Sequence, residues 1–134
     1  MNEYRILVVD DEEDLCEILK FNLENEGYEV DTANSAEDAL KMNISTYDLL
    51  LLDVMMGEIS GFKMASMLKK EKKTAKIPII FITAKDTEND TVTGFNIGAD
   101  DYISKPFSLR EVAARVKAVL RRTRQTETER ADRK

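Results

Sequence analysis

The chain has no histidine. That excludes a Ser-His-Asp site, a histidine-ligated metal site and a phosphohistidine carrier. Cysteine occurs once, at Cys16, so no internal disulfide can form. Cys16 lies among Leu15, Ile18 and Leu19, a setting that predicts a buried helix position rather than a reactive thiol. No apolar run approaches the roughly 18 residues needed to span a bilayer. The N-terminus has no basic segment followed by an apolar signal core. A Gly-rich phosphate loop is missing as well, which argues against a nucleotide-binding protein. These absences together fit a cytoplasmic protein that does not engage a membrane.

What is present fits one domain. A length of 134 residues supports a single core, and a hydrophobic share of 43% is enough to fill it. Charge is unevenly placed. The net charge of −6 divides near Arg110: residues 110–134 carry nine Lys/Arg and four Asp/Glu, a net of +5, leaving −11 for the rest. An acidic body repels phosphate backbones, so the chain itself is not expected to read nucleic acid. The basic end is too short and too polar to do so alone.

Apolar runs alternate with helical patterns. Strands are expected over residues 4–9, 28–33, 49–53, 79–83 and 101–103. Helices are expected over 14–26, 36–43, 61–70, 87–97 and 109–123. Leu15, Ile18, Leu19 and Leu23 set the face of the first, and Gly27 stops it. Phe62, Ala65, Met67 and Leu68 are the buried candidates of the third. Ser35 with Asp38, and Ser108 with Glu111, are helix-start signals. Lys69 to Lys76 reads as a solvated, lysine-rich connection. Beyond Thr123 almost no apolar residue remains, so 124–134 is expected to be a polar linker or tail. Strands buried on both faces and alternating with helices predict an α/β domain with a doubly wound parallel sheet.

Chemistry-bearing residues fall at the strand ends. Asp10 and Asp11 close the first apolar run and Asp53 closes the third. Ligands bind such sheets outside the carboxyl ends of the strands. Three carboxylates there form a hard-cation site suited to Mg2+, and they would repel each other without a cation. Thr83 closes the fourth strand, where its hydroxyl can donate to a phosphoryl oxygen. Lys105, in Lys105-Pro106-Phe107, follows the fifth, where an ammonium can neutralise that group. Lys105-Pro106 is a candidate cis bond. Acids, hydroxyl and ammonium at separate strand ends point to phosphoryl transfer onto an aspartate.

On these residues the chain resembles the receiver domains of two-component response regulators. The matching segments are Ile6-Leu7-Val8-Val9-Asp10-Asp11-Glu12, Leu51-Leu52-Asp53-Val54-Met55-Met56, Ser60-Gly61-Phe62, Ile82-Thr83-Ala84-Lys85, Gly98-Ala99-Asp100-Asp101-Tyr102 and Ser104-Lys105-Pro106-Phe107. They run from about Tyr4 to Arg122. The final stretch, from Gly94 through Arg122, is similar to the winged-helix (OmpR/PhoB-type) subfamily.

The resemblance implies a flavodoxin-like sheet of order 2-1-3-4-5 with five helices, residues 1–123 forming the receiver. It implies that Asp53 takes a phosphoryl group from a sensor histidine kinase. Mg2+ would be held by Asp10, Asp11, Asp53 and the backbone carbonyl of Met55. Ala84 is small, leaving room for its N–H near the phosphoryl group. Thr83 and Tyr102 are implied as the switch pair. Asp100, Asp101, Glu111, Arg115 and Arg122 are implied as charges of a face that forms a homodimer on phosphorylation. DNA would be bound only through a C-terminal output domain beyond this chain, a natural single-domain receiver being the alternative.

Two departures from the family pattern carry consequences. Thr91 stands where the subfamily often has arginine, so one cross-dimer pair to Glu111 should be missing. Gly57 replaces the usual proline after Asp53-Val54-Met55-Met56. Gly57→Pro is expected to stabilise the loop if the native φ is near −65°. A phosphatase of the haloacid dehalogenase type is the first rival, but its Asp-x-Asp strand is not matched by Asp53-Val54-Met55. A receiver reduced to an interaction module is the second. It would normally have lost Asp53, Thr83 or Lys105.

Overall fold

A computed structural model describes residues 4–84 and 96–132, the stretch 124–132 by its backbone alone. In chain order the elements are β1 (Arg5–Val9), α1 (Glu13–Asn25), β2 (Glu29–Ala33), α2 (Ala36–Leu40), β3 (Leu49–Asp53), α3 (Gly61–Lys69), β4 (Ile79–Thr83), β5 (Asp101–Ser104) and α4 (Leu109–Asp132). A 3-10 turn at Ile44–Thr46 precedes β3. The helix expected over 87–97 lies outside the described residues apart from helical Asn96 and Ile97.

The strands form one parallel sheet in the order β2-β1-β3-β4-β5, the flavodoxin-like arrangement. β3 and β4 are buried at every position because both faces are covered. Leu7, Val9, Leu50, Leu52 and Phe81 point to one face and pack with residues of α2 and α3. Ile6, Val8, Leu49, Leu51, Ile80 and Ile82 point to the other and pack with α1 and α4. The strand period of two thus divides one apolar run between two cores.

Local chemistry sets the helix ends. The hydroxyls of Ser35, Ser60 and Ser108 accept from the N–H groups of Asp38, Lys63 and Glu111 at 3.0, 3.1 and 3.0 Å. Gly27, at φ +100°, follows the end of α1 and donates its N–H to the Glu24 carbonyl.

Three expectations about the helices change. Ile18 is 49% exposed, because the buried stripe of α1 runs through Cys16, Leu19 and Leu23. Met67 is 40% exposed, because Gly61, Met64, Ala65 and Leu68 form the buried stripe of α3. Each outlier sits about 100° around its helix from that stripe. The third change is at the end of the chain, where α4 continues to Asp132 rather than stopping near Thr123. No glycine or proline interrupts that stretch, and its Arg, Gln, Glu and Ala residues favour helix. No helix among the described residues is long and apolar enough to cross a membrane.

Candidate functional site

Because all five strands run the same way, their C-terminal ends share one edge of the sheet, and the five sequence-predicted groups are carried there. Asp10 and Asp11 follow β1, Asp53 ends β3, Thr83 ends β4 and Lys105 follows β5. Carboxylate oxygens of Asp10, Asp11 and Asp53 lie within 4.8 Å of one another. The Lys105 Nζ lies 3.2 Å from Asp10 Oδ2 and 3.6 Å from Asp53 Oδ1. Asp10, Asp53 and Thr83 are buried, whereas Asp11 is exposed. The Lys105-Pro106 bond is cis.

Burial, with Asp10 close by, pushes the Asp53 carboxyl up to about 7, against the opposing pull of Lys105. The Asp10 carboxyl is also raised, chiefly by burial, although its Oδ1 accepts the Glu12 N–H at 2.9 Å. Burial works against the charge of Lys105, but Asp10 and Asp53 outweigh it and hold the ammonium above the usual lysine range. Three clustered carboxylates facing one ammonium leave an excess of negative charge. Oxygen-only donors, two of them buried, fit a hard divalent cation. Asp10, Asp11 and Asp53 are the residues able to hold it. Met55 follows on the loop, its side chain 55% exposed, and its backbone N–H favours the charged form of Asp53. Ala84 is exposed directly after Thr83.

Sequence reasoning missed three supports. A Cβ on Gly61 would lie 2.2 Å from the Asp53 carbonyl oxygen, so only glycine lets α3 start against the end of β3. The Gly61 N–H donates to the Val54 carbonyl at 3.0 Å, closing the loop beside Asp53. The Asp10 carbonyl accepts from the Asn34 amide at 3.2 Å and from the Cys16 thiol at 3.3 Å. Cys16 is buried as expected, with its thiol pushed up to about 11 by burial, so it is unreactive. A glycine at a helix start was the one visible signal among these. The others join residues far apart in the chain.

Tyr102 is partly buried, its ring 5.9 Å from that of Phe81. Of the predicted dimer-face charges, several already meet within the chain. Arg115 Nη1 lies 3.0 Å from Asp101 Oδ1, and Arg115 Nε lies 3.1 Å from Glu111 Oε2. Arg122 donates to the Asp100 carbonyl at 3.1 Å. The Asp100 carboxylate accepts from the Ile79 N–H at 2.9 Å and thereby caps β4. Thr91 lies outside the described residues.

The sequence and the five-stranded parallel sheet that carries this edge are matched by known proteins. The model of the response regulator receiver domain matches residues 6–117, and the chain belongs to that family. It is 50% identical over 120 residues to the alkaline phosphatase synthesis transcriptional regulatory protein PhoP of Bacillus subtilis, covering 89% of this chain and 49% of that one. It is 45% identical over 128 residues to the transcriptional regulatory protein SrrA of Staphylococcus aureus, covering 95% and 52%. The chain thus spans about half the length of these relatives. Among solved structures, a CheY-like receiver domain of Methanospirillum hungatei superposes with a TM-score of 0.84 at 30% identity, covering 92% and 98% of the two chains. DrrB of Thermotoga maritima, described as an OmpR/PhoB homolog, gives 0.81 at 32%, covering 89% and 53%. The similarity therefore runs to the OmpR/PhoB type of two-component response regulator.

Proposed function

We propose that this receiver takes a phosphoryl group from the phosphohistidine of a sensor kinase onto Asp53. The observation that carries the reading is the convergence of Asp10, Asp11, Asp53 and Lys105 at one sheet edge, with the Lys105 ammonium 3.2 and 3.6 Å from Asp10 and Asp53. A carboxylate oxygen of Asp53 attacks phosphorus as the donor's P–N bond breaks. The imidazole leaves with the electron pair of that bond, and the product is an acyl phosphate. Lys105 turns its charge to the incoming phosphoryl oxygens. The Thr83 hydroxyl and the Ala84 N–H donate to the same group. Asp10, Asp11, Asp53 and the Met55 carbonyl would hold Mg2+, which would supply the positive charge that lets the acids and the phosphoryl oxygens share the site.

Output follows from a two-state shift. Thr83 moves toward the phosphoryl group, and Tyr102 takes the space it leaves. The face bearing Asp100, Asp101, Glu111, Arg115 and Arg122 then pairs with a second copy. The protein is a cytoplasmic switch that controls transcription through a DNA-binding domain C-terminal to this chain. The receiver acts as a regulatory phosphoacceptor rather than as an enzyme with turnover.

The bond type is the discriminating test. Treatment with acetyl phosphate and Mg2+ should give a label that hydroxylamine removes, as it does from an acyl phosphate. EDTA should prevent the labelling, and Lys105→Ala should slow it. A hydroxylamine-resistant label would belong to a hydroxyl group and would overturn the reading.

A further inference from the structure

At the opposite edge of the sheet from the acid site lies a groove of about 400 Å³ between the end of α2, the 3-10 turn and the end of α3. Leu40, Met42, Ile44, Met67 and Leu68 supply its apolar surface, with Met67 among the most exposed large apolar side chains of the described residues. The loop beside it is basic. Residues 69–76 carry five lysines and one acid, in a chain whose net charge is −6. Lys73 and Glu71 are the charged residues that line the groove itself. Lys70, Lys72 and Lys76 are exposed on the same loop, and exposed Lys41 lies between Leu40 and Met42 of the lining, so lysines outnumber the one acid around it.

The loop that carries these lysines is built rather than loose. Lys69, half-buried, donates to the carbonyls of Ala75 and Ile77, both at 3.1 Å. The buried Thr74 hydroxyl donates to the Leu68 carbonyl at 2.6 Å. The N–H groups of Thr74 and Ala75 both donate to the Glu71 carbonyl. Two polar side chains are thus turned inward to fix the backbone. Lys41, Lys70, Lys72, Lys73 and Lys76 take part in none of the ion pairs among the described residues. Methionine suits a floor that adapts to more than one side-chain shape.

We propose that this groove docks an acidic peptide segment of another protein, with one apolar side chain on the methionine floor and flanking carboxylates on the lysines. Charge complementarity selects this occupant: Lys73 and the exposed lysines around the groove outnumber Glu71 and attract carboxylates, and an uncharged ligand would gain nothing from them. The groove shares no residue with the phosphoacceptor site, so binding should not depend on phosphorylation. Docking and phosphotransfer can therefore fail separately.

The test uses a fluorescein-labelled peptide, Asp-Glu-Asp-Leu-Phe-Asp-Glu-Asp, and a control in which every acid is lysine. Fluorescence anisotropy should show saturable binding of the acidic peptide alone. Met67→Glu and the double variant Lys70→Glu/Lys73→Glu should each weaken it about tenfold or more. Phe21→Ser on α1, at the opposite face of the sheet, should leave it unchanged. So should Asp53→Asn and the addition of EDTA. Equal binding of both peptides, no binding at millimolar peptide, or indifference to Met67→Glu and to the double variant would overturn the proposal. So would sedimentation showing that a second copy fills the groove through α1, with association lost in both Phe21→Ser and Met67→Glu.

Discussion

Asp53 is held in a setting that costs it its charge. Burial and then Asp10 lift its carboxyl from the ordinary 3.8 to about 7. The folded, metal-free chain therefore keeps a proton that the unfolded chain releases. The stability this gives is fully present below about pH 4 and is lost as pH rises through about 7. Asp10 shifts in the same direction. Thermal melts in EDTA should show Asp53→Asn gaining on the wild type as pH rises from about 4 to 8, because the amide carries no charge to bury. A constant difference across that range would contradict the picture. Gly57 illustrates what a sequence hides. Proline was expected to stiffen its position if the native φ were near −65°, but the residue sits at φ +25°, which proline cannot reach. Gly57→Pro should destabilise by more than about 1 kcal/mol in urea unfolding. The sign of a backbone angle leaves no periodic trace in a chain.

Elements were legible where one physical term dominated. The bounds of β3 and β4 follow from apolar runs buried at every position, and the end of α1 from Gly27. The start of α4 follows from Ser108, but its end does not, because nothing after Thr123 marks a stop. Faces were harder to read. Ile18 and Met67 are apolar yet lie off the buried stripes, since residue type alone does not say which neighbours cover it. A close approach at an element boundary showed in the sequence only as a glycine at a helix start. Gly61 begins α3 with no room for a methyl group between it and the Asp53 carbonyl. Gly61→Ala should cost about 1–3 kcal/mol by forcing that junction apart. It should also weaken Mg2+ binding in calorimetric titration, because the displaced backbone carries Asp53. Unchanged stability and affinity would show that the junction yields without cost.

At the scale of the whole molecule, a parallel sheet converts separate strand ends into one site. This is why Asp10, Asp53, Thr83 and Lys105 could be grouped from sequence while Asn34 and Asp100 could not. The first four close apolar runs. The other two act by bonding to the backbone of distant segments. The proposed dimer face is marked in the sequence by its charges, but their pairing within the chain is not. Arg115 already meets Asp101 and Glu111 within one chain, so pairing across a twofold axis exchanges these contacts rather than adding them. The phosphorylated dimer should therefore be modest and should weaken with salt. Sedimentation with a beryllofluoride mimic should show Arg115→Ala shifting the equilibrium toward monomer, and a dimer indifferent to that change would exclude this face.

Site-resolved mass spectrometry after treatment with acetyl phosphate and Mg2+ tests the central claim most directly. Wild-type protein should gain one phosphoryl group, mapped to Asp53, and Asp53→Asn should gain none. Stoichiometric labelling of Asp53→Asn, or a wild-type label at another residue, would contradict the assignment of Asp53 as the phosphoacceptor.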